Sequence, residues 1–338
     1  MNILAIETSC DDTGVAVLND GLVLSNIVAS QLVHSDYGGV VPELASREHL
    51  KSIVPICEKA LQTAALQLAD IDAVAYTEGP GLLGSLITGL SFAKSIALAR
   101  QIPLIPVNHM EAHVLAHFID EPKPTFPFLC LTVSGGHTQI LIVKSVVEME
   151  VIGETNDDAV GEAFDKCAKI LGLGYPGGVL IDKLAKSGNP KAFQFPIANI
   201  PDFNFSFSGV KTAFLYFVQS CDAKFIAEHL PDICASIQHT LVETLIKKLI
   251  MAANATGIQQ IAIAGGVAAN SYLRARLTTM IDERKWQVFI PQMQYCTDNA
   301  AMIGIAGWYK WQAGVHKGME ASVSASLPIG HKKQKELL

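Results

Sequence analysis

The apolar positions of this chain fall into short runs, each broken by glycine, proline or charge, and two stretches share one pattern. Residues 2–19 (NILAIETSCDDTGVAVLN) are an apolar run, a small and polar turn, and a second apolar run. Residues 127–145 (PFLCLTVSGGHTQILIVKS) repeat this around Ser134, Gly135 and Gly136. β-Branched and leucine-rich runs flanking such turns predict β-hairpins. Helical periodicity follows each hairpin, at 43–68 and at 158–171. Two strand–turn–helix units follow the same grammar: IDAVAYTE, GPG and a helix to Arg100, and later QQIAIAGGVAANSYLRARLTTMIDE. A last apolar helix after CTDN should pack back on the first half, because the second half is by then complete. The duplicated layout predicts two related, facing α/β domains.

Composition narrows the class. The chain has 338 residues, 50% of them hydrophobic and 17% charged, enough apolar material for a large core and roughly two domains. No apolar run reaches the ~18 residues of a membrane span, so the mean hydropathy of +0.32 reads as core. Glu7 interrupts the first apolar run and no basic segment precedes it, which argues against a secretory leader. Seven scattered cysteines without a CxxC pair fit reduced thiols in a cytoplasm rather than a disulfide framework. Net charge is −7, so binding to nucleic acid by electrostatics alone is disfavoured, and a polyanion would need a local basic stripe or a partner.

The sharpest local chemistry is Asn108-His109-Met110-Glu111-Ala112-His113. Asn108 suits a helix N-cap and Glu111 the third position of a capping box. His109 and His113, four apart, then share one face and can meet one metal. His117 extends that stripe, though one ion would not recruit all three. An isolated HxxxH is as readily an ordinary polar face. A distant carboxylate would tip the balance, and Asp298, just before the final helix, is the natural candidate. Two histidines and one carboxylate suit iron(II) or zinc. A metalloprotease HExxH places its glutamate directly after the first histidine. Here the glutamate comes two residues on, about 200° around the helix and away from the metal.

Gly79-Pro80-Gly81-Leu82-Leu83-Gly84 spells GxGxxG, but no Asp or Glu occurs between Glu78 and Glu111 to serve a dinucleotide ribose. A tight turn with close helix–strand packing is the better reading. Three small-residue turns together make a better phosphate cradle: Thr8–Asp11, Ser134–His137, and Gly265–Val267 before Asn270. Asp165 and Gly178 could bond a ribose or wall the pocket. Alternating Phe203, Phe205 and Phe207 beside Lys211 allow base stacking, but the period of two favours a half-buried strand. Arg274, Arg276, Arg284 and Lys285 form the densest basic run outside the tail, usually a solvated helix face.

Taken in order, ETSCDDT (7–13), YGGVVPELASREH (37–49), NHMEAH (108–113), VSGGHTQ (133–139), GEAFDK (161–166), GYPGG (174–178), FSFSGVKT (205–212), AGGVAAN (264–270) and CTDNAAM (296–302) resemble the universal tRNA threonylcarbamoyladenosine transferase family in its bacterial TsaD form. The resemblance implies two facing, structurally related actin-like (ASKHA) α/β domains with an interdomain cleft. The expected layout is 1–107 plus 299–325 as the N-terminal domain, 108–298 as the C-terminal domain, and 326–338 as a mobile tail. It implies transfer of threonylcarbamoyl from threonylcarbamoyl-AMP to the exocyclic amine of the adenosine at position 37, beside the anticodon. His109, His113 and Asp298 match the family's metal ligands, for one divalent ion per subunit, with iron(II) the first choice and zinc the second. Thr132, Val133, Ser134, Gly135, Gly136, Asp165, Gly178 and Asn270 match its adenylate positions, with Asp182 a further contact and ATP, ADP or AMP admitted to the same site.

Asp11 is the candidate for orienting the amine or taking its proton, with Asp12 the nearby substitute; an ordinary hairpin-turn role is the alternative for Asp11. Ala112 stands where many members carry Gly, which should stiffen the helix. Expected partners are tRNA, a catalytically silent paralogue of the TsaB type and a small ATPase of the TsaE type, in the cytoplasm and without a membrane. The competing readings are a zinc metalloprotease of the O-sialoglycoprotein endopeptidase kind and a nucleotide-dependent kinase or chaperone of the same superfold.

Overall fold

The computed structural model describes residues 1–37 and 39–330. In chain order the first elements are β1 (Asn2–Glu7), β2 (Asp12–Asn19), β3 (Leu22–Ser30), α1 (Pro42–Thr63), β4 (Ala73–Gly79), α2 (Leu83–Arg100), β5 (Leu104–Asn108) and α3 (His109–Leu115). Then come β6 (Phe128–Val133), β7 (Thr138–Ser145), β8 (Glu148–Glu154), α4 (Val160–Ile170), α5 (Gly177–Ala185), α6 (Ser208–Ser220) and α7 (Ala223–Thr256). The chain continues with β9 (Gln260–Ala264), α8 (Ser271–Arg284), β10 (Gln287–Phe289) and α9 (Ala300–Gln312).

The strands form two five-stranded sheets, ordered β3-β2-β1-β4-β5 and β10-β9-β6-β7-β8. Taken from its other end, the second sheet runs β8-β7-β6-β9-β10, the same order with each strand five places later. β1 pairs antiparallel with β2 and parallel with β4, and β6 and β9 are also parallel. The duplication seen as a hydrophobic pattern is therefore a duplication of topology. The third strand, β3, and the 34-residue α7 were not separately legible in the pattern. α7 runs from the side-chain cap of Asp222 to Gly257, whose φ of 73° ends it.

The chain divides into two compact units. One comprises Met1–Lys123, Val143–Glu150 and the described residues from Gln292 on; the other comprises Pro124–Ile142 and Val151–Pro291. In the first unit, α1 and α2 bury Ile53, Ile56, Leu90 and Ile96 against Leu4, Ile6, Val74 and Tyr76 of the sheet. α9 packs on β1, β2, β3 and β5, with Ala301 N donating to Asn26 Oδ1. The final helix thus returns to the first sheet, as the pattern anticipates. The segment beyond it runs along the same unit: Ser324 N donates to Glu78 O, and Asn108 Nδ2 donates to Leu327 O at 3.0 Å. Of the expected tail, residues 331–338 lie outside the described residues.

Candidate metal centre and nucleotide-side residues

β5 ends at Asn108, whose Oδ1 accepts from Met110 N (2.9 Å) and Glu111 N (3.2 Å) and so starts α3. One turn of that helix brings His109 and His113 edge to face, ring centroids 4.8 Å apart. Asp298, just before the cap residue Asn299 of α9, completes the cluster. Its Oδ1 is 3.1 Å from His113 Nε2 and 3.4 Å from His109 Nε2. One donor atom from each of the three lies within 4.8 Å of the others, and among the described residues this is the group of three or more His, Cys, Asp or Glu that could hold an ion. Two imidazole nitrogens and a carboxylate oxygen are a donor set for iron(II) or zinc. His117 lies in the short turn after α3, outside the cluster.

Carboxylates place negative charge against the two imidazoles. Burial works against charge on His109, but the Asp298 and Glu7 carboxylates outweigh it and hold its pKa well above the ordinary imidazole value. Burial would likewise raise Asp298, yet His109 and His113 dominate and hold it below the usual carboxylate range.

Glu7 and Thr77 have no site role in the sequence pattern, and Ser9 enters it only as part of the Thr8–Asp11 turn. Glu7 is fully buried at the end of β1; its Oε1 accepts from Ser9 N and its Oε2 from Thr77 Oγ1 (2.6 Å). Glu7 Oε2 and Ser9 Oγ each lie 3.1 Å from His109 Nδ1. An acid closing an otherwise apolar strand was the available signal. Glu111 also differs from expectation: its carboxylate pairs with Lys310 Nζ of α9 at 2.9 Å instead of bonding back to the cap.

Asp11 lies in the turn between β1 and β2, in the same unit as the cluster. Beside it, burial lifts Asp12 to about 6, with Ser30 opposing by a hydrogen bond and the Asp298, Asp11 and Glu7 charges adding to the rise.

The other candidates belong to the second unit. Thr132 and Val133 end β6, and Thr132 Oγ1 bonds Gln139 O. Ser134 is tied down three ways: its N to His137 O, its Oγ accepting from His137 N, and its O accepting from Gly161 N of α4. Gly135 and Gly136 are open, and a Cβ at either would meet nothing within 4 Å. Asp165 Oδ1 accepts from Gly177 N (2.8 Å) and Gly178 N (3.1 Å), joining α4 to the start of α5. Burial raises the Asp165 pKa against the pull of those two donors. Asp182 Oδ1 accepts from Ser271 N and Oγ at the start of α8. Asn270 caps α8 through Leu273 N and donates to Gln238 Oε1. Gly265, with φ 92°, lies against Val133 O, closer than any Cβ would allow. The Ser134 turn, α4, α5 and the α8 start are thus stitched into one surface by the predicted residues.

Two other readings resolve. Phe205 and Phe207 are buried and stacked on each other, centroids 6.1 Å apart, so neither presents a face for a base. Lys211 is paired with Asp158 and Arg276 with Glu243, while Arg274 bonds the carbonyls of Ala268 and Pro291.

Fold and cluster define an actin-like α/β protein with a His–His–Asp centre in its first unit. By fold it is similar to full-length HypF in its phosphate- and nucleotide-bound form (TM-score 0.61, 14% identity, 92% of this chain and 46% of that one). It is similar also to component A of the (R)-2-hydroxyglutaryl-CoA dehydratase of Acidaminococcus fermentans (TM-score 0.53, 14% identity, 93% and 98%).

Sequence gives the family. Residues 22–305 match TsaD, tRNA N6-adenosine threonylcarbamoyltransferase. Relatives of that name include proteins of Cytophaga hutchinsonii, 55% identical over 333 residues (98% of this chain, 97% of the relative), and Christiangramia forsetii, 60% identical over 317 residues (92% and 93%). The chain belongs to the TsaD family of tRNA N6-adenosine threonylcarbamoyltransferases, and it is a tRNA-modifying acyltransferase. Neither the metalloprotease nor the kinase or chaperone reading is favoured by this match.

Proposed function

We propose that the chain moves the threonylcarbamoyl group from threonylcarbamoyl-AMP to the exocyclic amine of adenosine 37 in tRNA, with one divalent metal held by His109, His113 and Asp298. The observation that carries this is the convergence of three donor atoms within 4.8 Å from segments far apart in the chain. The donors favour iron(II), with zinc the alternative. Bound there, the ion would supply Lewis acidity toward a carbonyl oxygen and a fixed template.

The chain's own residues do the rest. The open Gly135–Gly136 turn lets backbone N–H groups approach an adenylate phosphate, and Ser134 fixes that turn. The Asn270-capped start of α8 adds the positive end of a helix dipole. Asp165, Gly178 and Asp182 hold the surrounding wall, with Thr132 and Val133 at its strand edge; ATP, ADP and AMP share the site. The amine nitrogen attacks the carbamoyl carbon, the bond from that carbon to the phosphate oxygen breaks, and AMP leaves. Asp11 orients the amine and takes its proton, and Asp12, lifted to about 6, is the substitute.

The acidic chain calls for partners on tRNA. Leu50 and Val54 of α1 and Leu83 and Ile87 of α2 are exposed on two helices that pack together, apolar exposure suited to a protein partner. We assign it to a catalytically silent TsaB-type paralogue, with a TsaE-type ATPase completing the assembly in the cytoplasm. No described helix is long and apolar enough to cross a membrane.

The test combines threonine, bicarbonate, ATP, tRNA and an adenylate-forming enzyme with this chain and its partners. Modified adenosine appearing with the wild type and not with His109→Ala is the expected result. Full modification by a metal-free His109→Ala protein would remove the metal from the account.

A further inference from the structure

A metal can use only one nitrogen of each imidazole, and what touches the other nitrogen decides which. At His109 the two nitrogens face different carboxylates: Nε2 looks to Asp298 Oδ1, and Nδ1 lies 3.1 Å from Glu7 Oε2. We propose that Glu7 is a positioning residue for metal binding, fixing a proton on His109 Nδ1 so that Nε2 is the nitrogen offered to the ion. This rests on the reading of His109, His113 and Asp298 as ligands.

The argument is one of donors and acceptors. Glu7 is wholly buried, and its oxygens already accept from Ser9 N and from the Thr77 hydroxyl. Two donors aimed at it keep the carboxylate an acceptor, so a favourable contact with His109 Nδ1 requires the hydrogen to sit on that nitrogen. Ser9 Oγ, also 3.1 Å from Nδ1, can share the same hydrogen as a second acceptor. With Nδ1 protonated, the lone pair of the neutral ring is on Nε2, on the side of Asp298 and His113. A carboxylate behind a metal-bound histidine also makes the ring a stronger donor, and loss of such a partner typically lowers metal affinity about 10–100-fold.

Three features make Glu7 more than a filler. Its strand is β1, between β2 and β4: Glu7 itself pairs with Gly14 of β2, and its neighbour Ile6 pairs with Tyr76 of β4. Thr77 sits on the neighbouring β4, so one hydroxyl locks the carboxylate from the next strand. Ser9 belongs to the turn that also carries Asp11, so the same carboxylate anchors that turn through the Ser9 N–H.

The experiment measures Co2+ affinity by its visible absorption in wild type, Glu7→Gln and Glu7→Leu, with thermal melts of each as a check on folding. A long-range 15N–1H spectrum of the Zn2+-loaded proteins supplies a second readout. Wild type should bind one Co2+ and show an exchange-protected His109 Nδ1–H. Glu7→Gln, which keeps a weaker acceptor, should lose about 10-fold in affinity, and Glu7→Leu about 100-fold together with the protected proton. If Glu7→Leu fails to fold, Glu7→Gln decides. Wild-type affinity and an unchanged ring-proton signal in Glu7→Gln would overturn the assignment to Glu7 while leaving the three ligands standing. Failure of the wild type itself to bind Co2+ would overturn the ligand reading and this inference with it.

Discussion

His113 Nε2 and Asp298 Oδ1 lie 3.1 Å apart although 185 positions separate them. The link joins the helix that follows β5 to the turn that precedes α9, and α9 is anchored across the first sheet. His109→Ala, His113→Ala and Asp298→Ala should each lower metal affinity by at least ~100-fold, beyond the usual effect of removing a supporting residue, and each should lose tRNA modification. Titration with Co2+ beside an assay of modified adenosine checks this; a variant without metal but with full transfer would break the link.

Glu111 and Lys310 bind α3 to the last turn of α9 by an ion pair whose side chains are only 17% and 13% exposed. A sheltered pair leaves a costly orphan charge when one partner goes. Lys310→Met should therefore destabilise the protein by ~2 kcal/mol and loosen the His pair, seen as a lower melting temperature and weaker Co2+ binding. The reversed pair Glu111→Lys with Lys310→Glu should recover much of both. No recovery would mean that the two side chains act independently.

Asp12 gives a pH dependence of defined sign. Its carboxyl is raised from the ordinary 3.8 to about 6, burial being the main cause, so the native state holds a proton that the unfolded chain has released. Stability from this group is greatest below about pH 4 and falls as pH rises through 6, by at most ~3 kcal/mol. Asp12→Asn should raise the melting temperature at pH 7.5 and have little effect at pH 4. Equal shifts at the two pH values would contradict the raised carboxyl.

Gly89 explains the close packing expected of the GPGLLG helix. A Cβ there would collide with Thr8 Oγ1, which donates to Ser85 O. Alanine in an open helix would stabilise by ~1 kcal/mol, but here overpacking wins, and Gly89→Ala should cost ~1–3 kcal/mol. Chemical denaturation measures it; a more stable variant would show that the Thr8 turn yields freely.

How far the sequence carried depends on whether a signal is local. The strand–turn–helix units, the Asn108 cap and the His109–His113 spacing are short-range patterns and were legible. Asp298 was a candidate only because its turn precedes a helix and because the motifs resembled a family; no spacing rule spans that distance. Glu7 carries no local signal of a role, because an acid in an apolar run looks like an interruption, and its meaning appears only where Thr77 and His109 surround it. The local pattern makes Glu111 a capping residue, because local rules cannot see Lys310, which arrives from α9. Phe205 and Phe207 are buried, as their period of two favours, but the segment forms no strand: Phe205 makes only an isolated bridge to Thr155, and Phe207 caps α6.

The most direct test is an anomalous-diffraction map of the iron-loaded protein recorded at the iron edge. One peak should stand within bonding distance of His109 Nε2, His113 Nε2 and an oxygen of Asp298. A map with no peak there, or with the iron bound elsewhere while these three side chains bond only one another, would contradict the proposed centre.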